Sequence, residues 1–312
     1  MDFALDSSQQ LLVDSLDRLL EQHAGPARAI ALGPAAHDDA LAAALVDAGY
    51  DALALELGPL AAVLAAERVA RAAGAVSAGA SLVVAPLVFG EPVRGPVALV
   101  EPARTRVARF APMAACLLVL GTDAASAVDE PAASGGVEAL ESNFGFPFGR
   151  VSAGLLDGAR PLAAGAQQTL ACAWRLALAA EIVGAADAAL THTRAYLSER
   201  RQFGQPIAAF QAVAHRLAQC AVRLESTRWL LYETADRAAS DGERCALLSG
   251  WAAELAALVH GETHQLSGAI GFTREHDLHV WSMRLKALEL ELGGADAHYQ
   301  ALTLSRWPAS GA

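Results

Sequence analysis

A cluster of cationic, amide and aromatic side chains lies between two long apolar repeats in the second half of the chain. The segment reads Arg200-Arg201-Gln202-Phe203-Gly204-Gln205-Pro206-Ile207 and is followed by Phe210-Gln211. Planar guanidinium groups bind diphosphates through paired hydrogen bonds. The same residues also suit a helix C-terminus followed by a glycine turn, because cations favour that end of the helix dipole. The segment therefore predicts either a diphosphate-binding turn or a simple helix-to-helix connection.

The other residue patterns that could bind a metal or catalyse a reaction are weaker signals. His260 and His264 stand at i and i+4 of a predicted helix, with Glu262 between them, and could present two imidazoles to a metal. A third ligand would have to come from His276 or His279. The order differs from the H-E-x-x-H motif, so we expect no metal site. The sequence also lacks a G-x-S-x-G elbow, a P-loop and a G-x-G-x-x-G turn after a strand.

The elements that must position the first segment are long helices. Apolar residues at helical spacing predict helices at about residues 166–201, 208–240 and 243–266, and a fourth that begins near Glu275. Helices of this length bury their apolar stripes against each other. We therefore expect a C-terminal four-helix bundle over residues 162–312.

The rest of the chain divides into two regions. Residues 1–90 show helical periodicity, and Ser7-x-x-Gln10 has the form of a capping box before a helix at about residues 8–22. Residues 91–161 are rich in Gly and Pro and carry short apolar runs at 97–100 and 116–120. The sequence thus predicts a mainly α fold with an N-terminal helical domain and a small middle β domain.

Charge and composition limit the classes of function. The 312 residues carry 23 Lys and Arg against 34 Asp and Glu, a net charge of −11, which removes the basis for general nucleic-acid binding. The longest apolar run, residues 176–190, is interrupted by Glu181 and Asp187, so we expect no membrane insertion. An acidic N-terminus and four scattered cysteines favour a cytoplasmic protein with reduced thiols.

Two segments of the helical half resemble the acyl-CoA dehydrogenase family. Tyr196-x-x-x-Arg200-x-Gln202-Phe203-Gly204-x-Pro206-Ile207-x-x-Phe210-Gln211 is similar to that family's Y-x3-R-x-Q-F-G-x-P-I-x2-F-Q signature. Gln265-x-x-Gly268-Ala269-Ile270-Gly271-Phe272-Thr273-x-Glu275 resembles its Q-x2-G-G-x-G-[FY]-T-x-E segment. The two are 265 − 200 = 65 residues apart, which fits one long helix and most of another.

The resemblance implies FAD bound across a subunit interface, an acyl-CoA substrate and an electron-transfer acceptor. It assigns the adenosine-diphosphate end of FAD to one group of residues in the first segment: Arg200, Gln202, Phe203 and Gln211. Gln265 and Gly268 would approach the FAD of a neighbouring subunit. Ala269 stands where the family has its second glycine, and its methyl group would narrow that contact.

The resemblance also implies a glutamate that removes the α-proton of the acyl-CoA. The family places it about 26 residues before the signature arginine or after the start of the last helix, which here gives Trp174 and about Gly293. Neither residue is acidic, so the catalytic base is unknown. The nearby candidates are Glu181, Glu289 and Glu291. For each of them, a structural role as a solvated or helix-pairing carboxylate is a stronger interpretation than a catalytic one.

The middle region is also shorter than in full-length members of the family. Of the T-E-P-x2-G-S-D-like segment that helps to hold the flavin ring, only Val100-Glu101-Pro102 is similar. The chain thus resembles the shortened subunits of heterotetrameric actinobacterial acyl-CoA dehydrogenases, which pair with a full-length subunit. Two alternatives remain open: a self-sufficient homo-oligomeric dehydrogenase and a flavin-free scaffold subunit.

Overall fold

The computed structural model describes residues 5–307 and begins with a capped helix, α1 (Ser7–His23). The capping box is real but lies one residue earlier than the sequence predicts. Asp6 accepts a hydrogen bond from the Gln9 amide nitrogen at 2.8 Å, and the Gln9 side chain accepts one from the Asp6 amide at 3.0 Å. An aspartate is as effective an N-cap as a serine, and the helix therefore begins at Ser7.

The remaining N-terminal elements are short helices around one apolar helix. They are α2 (Pro26–Leu32), α3 (Asp39–Asp47), α4 (Leu53–Glu56), α5 (Pro59–Arg71) and α6 (Ala85–Phe89), the last preceded by a π-helical turn at Gly79–Val84. Seven consecutive residues of α5, from 61 to 67, are buried. A helix buried on all faces must have neighbours on all sides, and α1 and α4 supply part of that cover.

Two small sheets follow the helices. The strands are β1 (Val97–Val100), β2 (Val107–Arg109), β3 (Cys116–Leu120), β4 (Ala125–Asp129), β5 (Val137–Leu140), β6 (Phe148–Val151) and β7 (Arg160–Pro161), with a short helix α7 (Ala153–Asp157) before the last. One sheet has the order β1-β3-β4-β7, in which only β1 and β3 are parallel, and the other has the antiparallel order β2-β6-β5. The predicted mainly α fold with a small β region is confirmed, while the domain boundaries at residues 90 and 161 stay predictions.

The C-terminal half is a helical bundle. It consists of α8 (Ala166–Glu199), α9 (Gln211–Arg237), α10 (Gly242–Ser267), α11 (Leu278–Leu290) and α12 (Gly294–Arg306), and a hairpin of β8 (Arg201–Gln202) and β9 (Gln205–Pro206) joins α8 to α9. The predicted fourth helix is two helices. Leu292, Gly293 and Gly294 all have positive φ, and this conformation ends α11 and turns the chain into α12.

The central helix of the bundle is α8. It packs against α5, α9, α10 and α11, and most of its residues from 170 to 190 are buried. By length and composition alone α8 could cross a membrane, but 89% of its most apolar stretch is buried inside the fold. A core helix of a water-soluble protein has the same composition.

A buried polar network joins α5, α8 and α9. The Glu67 carboxylate accepts hydrogen bonds from Arg228 Nε at 3.0 Å and from the Tyr232 hydroxyl at 2.7 Å, and Arg228 Nη2 reaches Asp187 at 3.0 Å. Burial raises the pKa of Glu67, although Arg228 and Tyr232 oppose this shift. Gly184 of α8 lies against the backbone of α5 at the same crossing, where a Cβ atom would overlap the Glu67 carbonyl oxygen.

Candidate functional site

A cavity of about 480 Å³ lies between the sheets and the bundle. The π-helical turn, β1, β2, α8, α11 and the turn after α11 all contribute to its wall. Most of the lining is apolar, and the charged groups come from both sides: Glu101, Arg104, Arg109, Glu141, Glu181 and Glu291. An apolar cavity with a few convergent polar groups is the usual form of a small-molecule site.

Arg109 is the central charge of this cavity. Its Nη2 lies 2.8 Å from Glu181 Oε2, and its Nε lies 2.7 Å from Glu291 Oε2. The three side chains are only 12%, 6% and 15% exposed, respectively. Burial lowers the pKa of Arg109, but the two carboxylates outweigh that effect and raise it above its ordinary value. The arrangement is a buried ion-paired triad that joins β2 to α8 and to the turn after α11.

Both positions at which the resemblance expects a glutamate line this same cavity. Trp174 donates its indole N–H to Glu291 Oε1 at 2.5 Å. Gly293 has a φ of +89°, and a Cβ atom there would lie 2.5 Å from Arg104 Nη1. Arg104 is itself paired with Glu101 at 2.9 Å. The space that a catalytic carboxylate would need is therefore filled by an indole at one position and by a guanidinium at the other.

The structure separates the three candidate carboxylates. Glu181 and Glu291 enter the cavity, and both are held by Arg109. Glu289 lies outside the lining and pairs with Lys286 at 2.9 Å. A general base must offer a carboxylate oxygen to the proton of its substrate, and Arg109 already holds hydrogen bonds to oxygens of both carboxylates.

Arg284 of α11 lies next to the triad and shares a contact with the Phe146 ring with Arg109. It donates Nη1 to the Gly74 carbonyl at 2.9 Å and Nε to the Gly145 carbonyl at 3.2 Å. The Phe146 ring packs against both Arg284 and Arg109, with distances of 5.2 and 4.7 Å from the guanidinium carbons to the ring centre. Burial lowers the pKa of Arg284 to about 10.

His298 fixes the turn that carries Glu291. It is 1% exposed, and it hydrogen-bonds to the Glu291 backbone while its Nε2 has no partner in the described part of the chain. Burial, together with Arg175 and Arg104, lowers the pKa of His298 to about 3. The imidazole is therefore neutral in the folded protein at neutral pH.

Because of His298, the free energy of unfolding is expected to decrease as the pH is lowered. Between about pH 6.5 and pH 3 the unfolded histidine binds a proton that the folded one does not, so stability decreases on acidification by about 1.4 kcal/mol per pH unit for this group. Urea titrations of the wild type and of His298→Gln at pH 7, 6, 5 and 4 measure this slope. The variant should have the shallower slope, and the same substitution at the exposed His215 should leave the slope unchanged. Equal slopes for wild type and His298→Gln would refute the assignment.

The signature residues of the first segment form an exposed turn at one end of the bundle. Phe203 and Gly204, the two turn residues of the β8–β9 hairpin, both have positive φ, as a type I′ turn requires. Phe203 is 93% exposed in this strained conformation. The Arg200 guanidinium makes no hydrogen bond or ion pair within residues 5–307, and Gln202 and Gln211 are also exposed.

The second segment lies at the same end of the bundle. Because α9 and α10 are antiparallel, the end of α10 approaches the start of α9, and Arg216 Nε pairs with Glu262 at 2.5 Å. Gln265 and Gly268 are exposed there, and Gly268 has a φ of +66°. The structure thus brings the six predicted flavin residues to one end of the bundle and does not bring them to the cavity.

The histidines considered as metal ligands also lie near this end. The rings of His260 and His264 are 4.7 Å apart, and His192 Nε2 lies 3.3 Å from His276 Nδ1. Among residues 5–307 no group of three or more His, Cys, Asp or Glu side chains is placed to hold a metal ion.

Sequence reasoning missed Arg104, Arg109 and His298. Arg109 is the last residue of a three-residue strand, and its partners are 72 and 182 residues away. No local pattern signals such a contact. The one available signal was a charged residue in the otherwise apolar run Val107-Ala108-Arg109-Phe110, which needs a buried partner.

Comparison with known proteins gives a consistent result. Residues 165–305 match the family model for the acyl-CoA dehydrogenase C-terminal domain. The acyl-CoA dehydrogenase IpdE2 of Mycolicibacterium smegmatis is 38% identical over 120 residues, 38% of each chain. The probable acyl-CoA dehydrogenase YngJ of Bacillus subtilis is 33% identical over 135 residues, 42% of this chain and 35% of that protein. The match thus spans little more than a third of these relatives.

Solved structures match over almost the whole chain. A chain of the Tcur3481–Tcur3483 steroid ACAD variant is 26% identical with a TM-score of 0.83, over 97% of this chain and 99% of that chain. A chain of the ChsE4–ChsE5 complex of Mycobacterium tuberculosis shares the fold, with 22% identity and a TM-score of 0.81 over 99% and 100% of the two chains. Residues 165–305 therefore form an acyl-CoA dehydrogenase C-terminal domain, and almost the whole chain is similar in fold to solved acyl-CoA dehydrogenases.

Proposed function

We propose that this chain is a subunit of a cytoplasmic, FAD-dependent acyl-CoA dehydrogenase, and that a partner chain supplies the catalytic glutamate. The Arg109 triad is the observation that carries the proposal. The Arg109 guanidinium pairs with both buried carboxylates of the cavity, while Trp174 and Arg104 fill the places of the family's glutamate. A dehydrogenation site needs a carboxylate that is free to remove the α-proton of the thioester.

The exposed end of the bundle fits one half of a flavin site. Within the described residues the Arg200 guanidinium has no side-chain partner and its fork suits a diphosphate, and the β8–β9 turn holds Phe203 outward beside it. Gln265 and Gly268 lie at the same end and would contact a second flavin site. When bound, FAD supplies the acceptor for the hydride that leaves the acyl chain. The role proposed for this chain is to bind and orient the diphosphate end.

The structural neighbour supports a heteromeric assembly. The steroid ACAD that this chain matches over 97% of its length is named for two proteins, Tcur3481 and Tcur3483. A steroid acyl-CoA thioester is accordingly the substrate class that we propose. The electron acceptor would be a separate electron-transfer protein.

Flavin content tests the proposal directly. The chain should be co-expressed with a full-length acyl-CoA dehydrogenase partner from the same genome, and the purified complex should carry FAD that the isolated chain lacks. Arg200→Ala should lower the FAD content of that complex by about tenfold or more, because a charge-assisted paired contact to a diphosphate is lost. Arg150→Ala serves as the matched control, since the exposed Arg150 guanidinium pairs, among residues 5–307, only with exposed Glu138 of the β region.

The alternatives give different results in the same experiment. A self-sufficient homo-oligomer would bind stoichiometric FAD and turn over acyl-CoA without a partner. A flavin-free scaffold would give a complex whose FAD content does not change with Arg200→Ala. Either outcome would reject the proposed division of labour.

A further inference from the structure

The cavity between the sheets and the bundle has the size and the lining of a ligand site. Its volume of about 480 Å³ is within the range of small-molecule sites in proteins. The uncharged part of its wall includes aliphatic and aromatic side chains from both sheets and from α11, among them Leu99, Val107, Phe110, Leu140, Phe148 and Leu290. A wall of this kind favours a ligand with an apolar body.

The mouth of the cavity is marked by the lining residues that also reach solvent. Phe144 is 37% exposed and Leu290 is 59% exposed, and both line the cavity. Glu141 lies three residues before Phe144 in the connection from β5 to β6, and it is exposed as well. The rim of the cavity thus combines two apolar side chains with a carboxylate.

Carboxylates outnumber guanidinium groups in the wall by two. The charged lining residues are Glu101, Glu141, Glu181 and Glu291 against Arg104 and Arg109. Both guanidinium groups are paired, Arg109 with Glu181 and Glu291, and Arg104 with Glu101.

Arg284 does not remove this excess of negative charge. It lies next to the triad but outside the cavity wall, and it donates hydrogen bonds to two backbone carbonyls. When Arg284 is counted as well, the carboxylates still exceed the guanidinium groups by one. Among residues 5–307, the Glu141 carboxylate has no hydrogen-bond or ion-pair partner. The unpaired charge of the wall is therefore negative and lies at the mouth.

Two aromatic rings near Glu141 are free to contact a cation. Phe144 and Phe148 form an edge-to-face pair with ring centres 6.5 Å apart, and both line the cavity. The neighbouring Phe146 already packs against two guanidinium groups. Within the described part of the chain no cation lies over Phe144 or Phe148. The face of a phenylalanine ring attracts a cation electrostatically, so these rings and the carboxylate favour the same kind of ligand group.

We propose that this cavity binds an organic cation, with an apolar ring body inside the cavity and a protonated amine at the mouth beside Glu141. The apolar wall contacts the ring body, while the Glu141 carboxylate and the Phe144 and Phe148 rings bind the ammonium group. An anionic ligand would meet the excess of carboxylates and, among the described residues of the wall, no unpaired guanidinium group. The inference does not rest on the proposed function, because it concerns this chain's own cavity and involves no flavin.

Three probes with one ring body test the preference for charge. Naphthylmethylammonium, naphthylmethanol and naphthylacetate carry a positive, a neutral and a negative end on the same naphthalene body. Isothermal titration calorimetry on the full chain at pH 7 measures the Kd of each. The ammonium should bind at least about tenfold more tightly than naphthylacetate, with the alcohol between them. Tightest binding of naphthylacetate, equal Kd values for the three probes, or no binding of any of them would overturn the proposal.

Substitutions at the mouth test where the ammonium group lies. Glu141→Gln should raise the Kd of naphthylmethylammonium by about threefold or more and leave the Kd of naphthylmethanol unchanged. Leu290→Arg places a cation on the exposed rim, so it should weaken binding of the ammonium and strengthen binding of naphthylacetate.

Glu138→Gln is the matched control for the mouth. Glu138 is an exposed residue of β5 that pairs with Arg150 and lies outside the cavity wall, so this change should alter none of the Kd values. Equal effects of Glu138→Gln and Glu141→Gln on the ammonium probe would overturn the proposed site.

A change deeper in the cavity tests where the ring body lies. Ala287→Trp adds a large side chain to the α11 part of the wall and should abolish binding of all three probes. Circular dichroism checks that this variant is folded. Unchanged binding by a folded Ala287→Trp variant would place the probes outside the cavity and overturn the proposal. The ranking of the probes on the wild type and the rim substitutions decide the question even where Ala287→Trp folds poorly.

Discussion

Replacement of Arg109 by leucine is expected to destabilise the fold by about 3–5 kcal/mol, because it leaves the two buried carboxylates of Glu181 and Glu291 without their partner. Both carboxylates are less than a fifth exposed, so water cannot replace the guanidinium fully. Urea unfolding followed by circular dichroism measures the loss. The exposed pair of Arg150 and Glu138 provides the control, since Arg150→Ala should cost less than about 1 kcal/mol.

A triple variant separates charge from packing. When Glu181→Gln and Glu291→Gln are added to Arg109→Leu, the triad no longer holds a charged carboxylate without its guanidinium, and the triple variant should be more stable than Arg109→Leu alone. A triple variant that is less stable than Arg109→Leu, or a single variant no worse than Arg150→Ala, would contradict the account of the triad as an ion-paired unit.

The second large effect is expected at the crossing of α5 and α8. Gly184→Ala places a methyl group on the Glu67 carbonyl oxygen, and backbone at that contact cannot rotate away. The helices must separate, which should cost about 3 kcal/mol even though alanine favours the helix by about 1 kcal/mol. The displacement should also weaken the Glu67 contacts with Arg228 and Tyr232 in the same crossing.

Gly261→Ala is the matched control for this prediction. Gly261 is an exposed glycine of α10, and an added methyl group would meet no atom within 4 Å, so the same change should stabilise the protein by about 0.5–1 kcal/mol. The two variants should therefore shift the thermal midpoint in opposite directions. Shifts of the same sign would mean that helix propensity, and not the close approach of α5, decides the effect at Gly184.

The sequence predicts the helices better than their ends. The 3.6-residue periodicity of α8, α9 and α10 places each within a few residues of its observed bounds, because one apolar stripe must face the core. The break at Leu292 was missed because leucine favours helix and the Gly293-Gly294 pair alone does not say where the chain turns. The capping box was misplaced by one residue because Asp6 and Ser7 are both good N-caps.

The residues of the candidate site were also predicted only in part. Glu181 and Glu291 were found as candidates because a family resemblance set their distance from Trp174 and Gly293, and the structure places all four in one cavity. Arg109 was not predicted, because its role depends on contacts with residues far away in the sequence. Such contacts produce no periodic pattern. The assignment of Arg200 and its neighbours to a flavin site stays a prediction, since these residues are exposed and do not line the cavity.

The turn at Gly293 has an evolutionary consequence. A mutation that placed a glutamate there would meet a left-handed backbone and the Arg104 guanidinium, so by itself it would destabilise the fold. A glutamate at this position therefore needs at least a second change, at Arg104, before its side chain has room. Under the function proposed above, a single substitution would not release this chain from its partner.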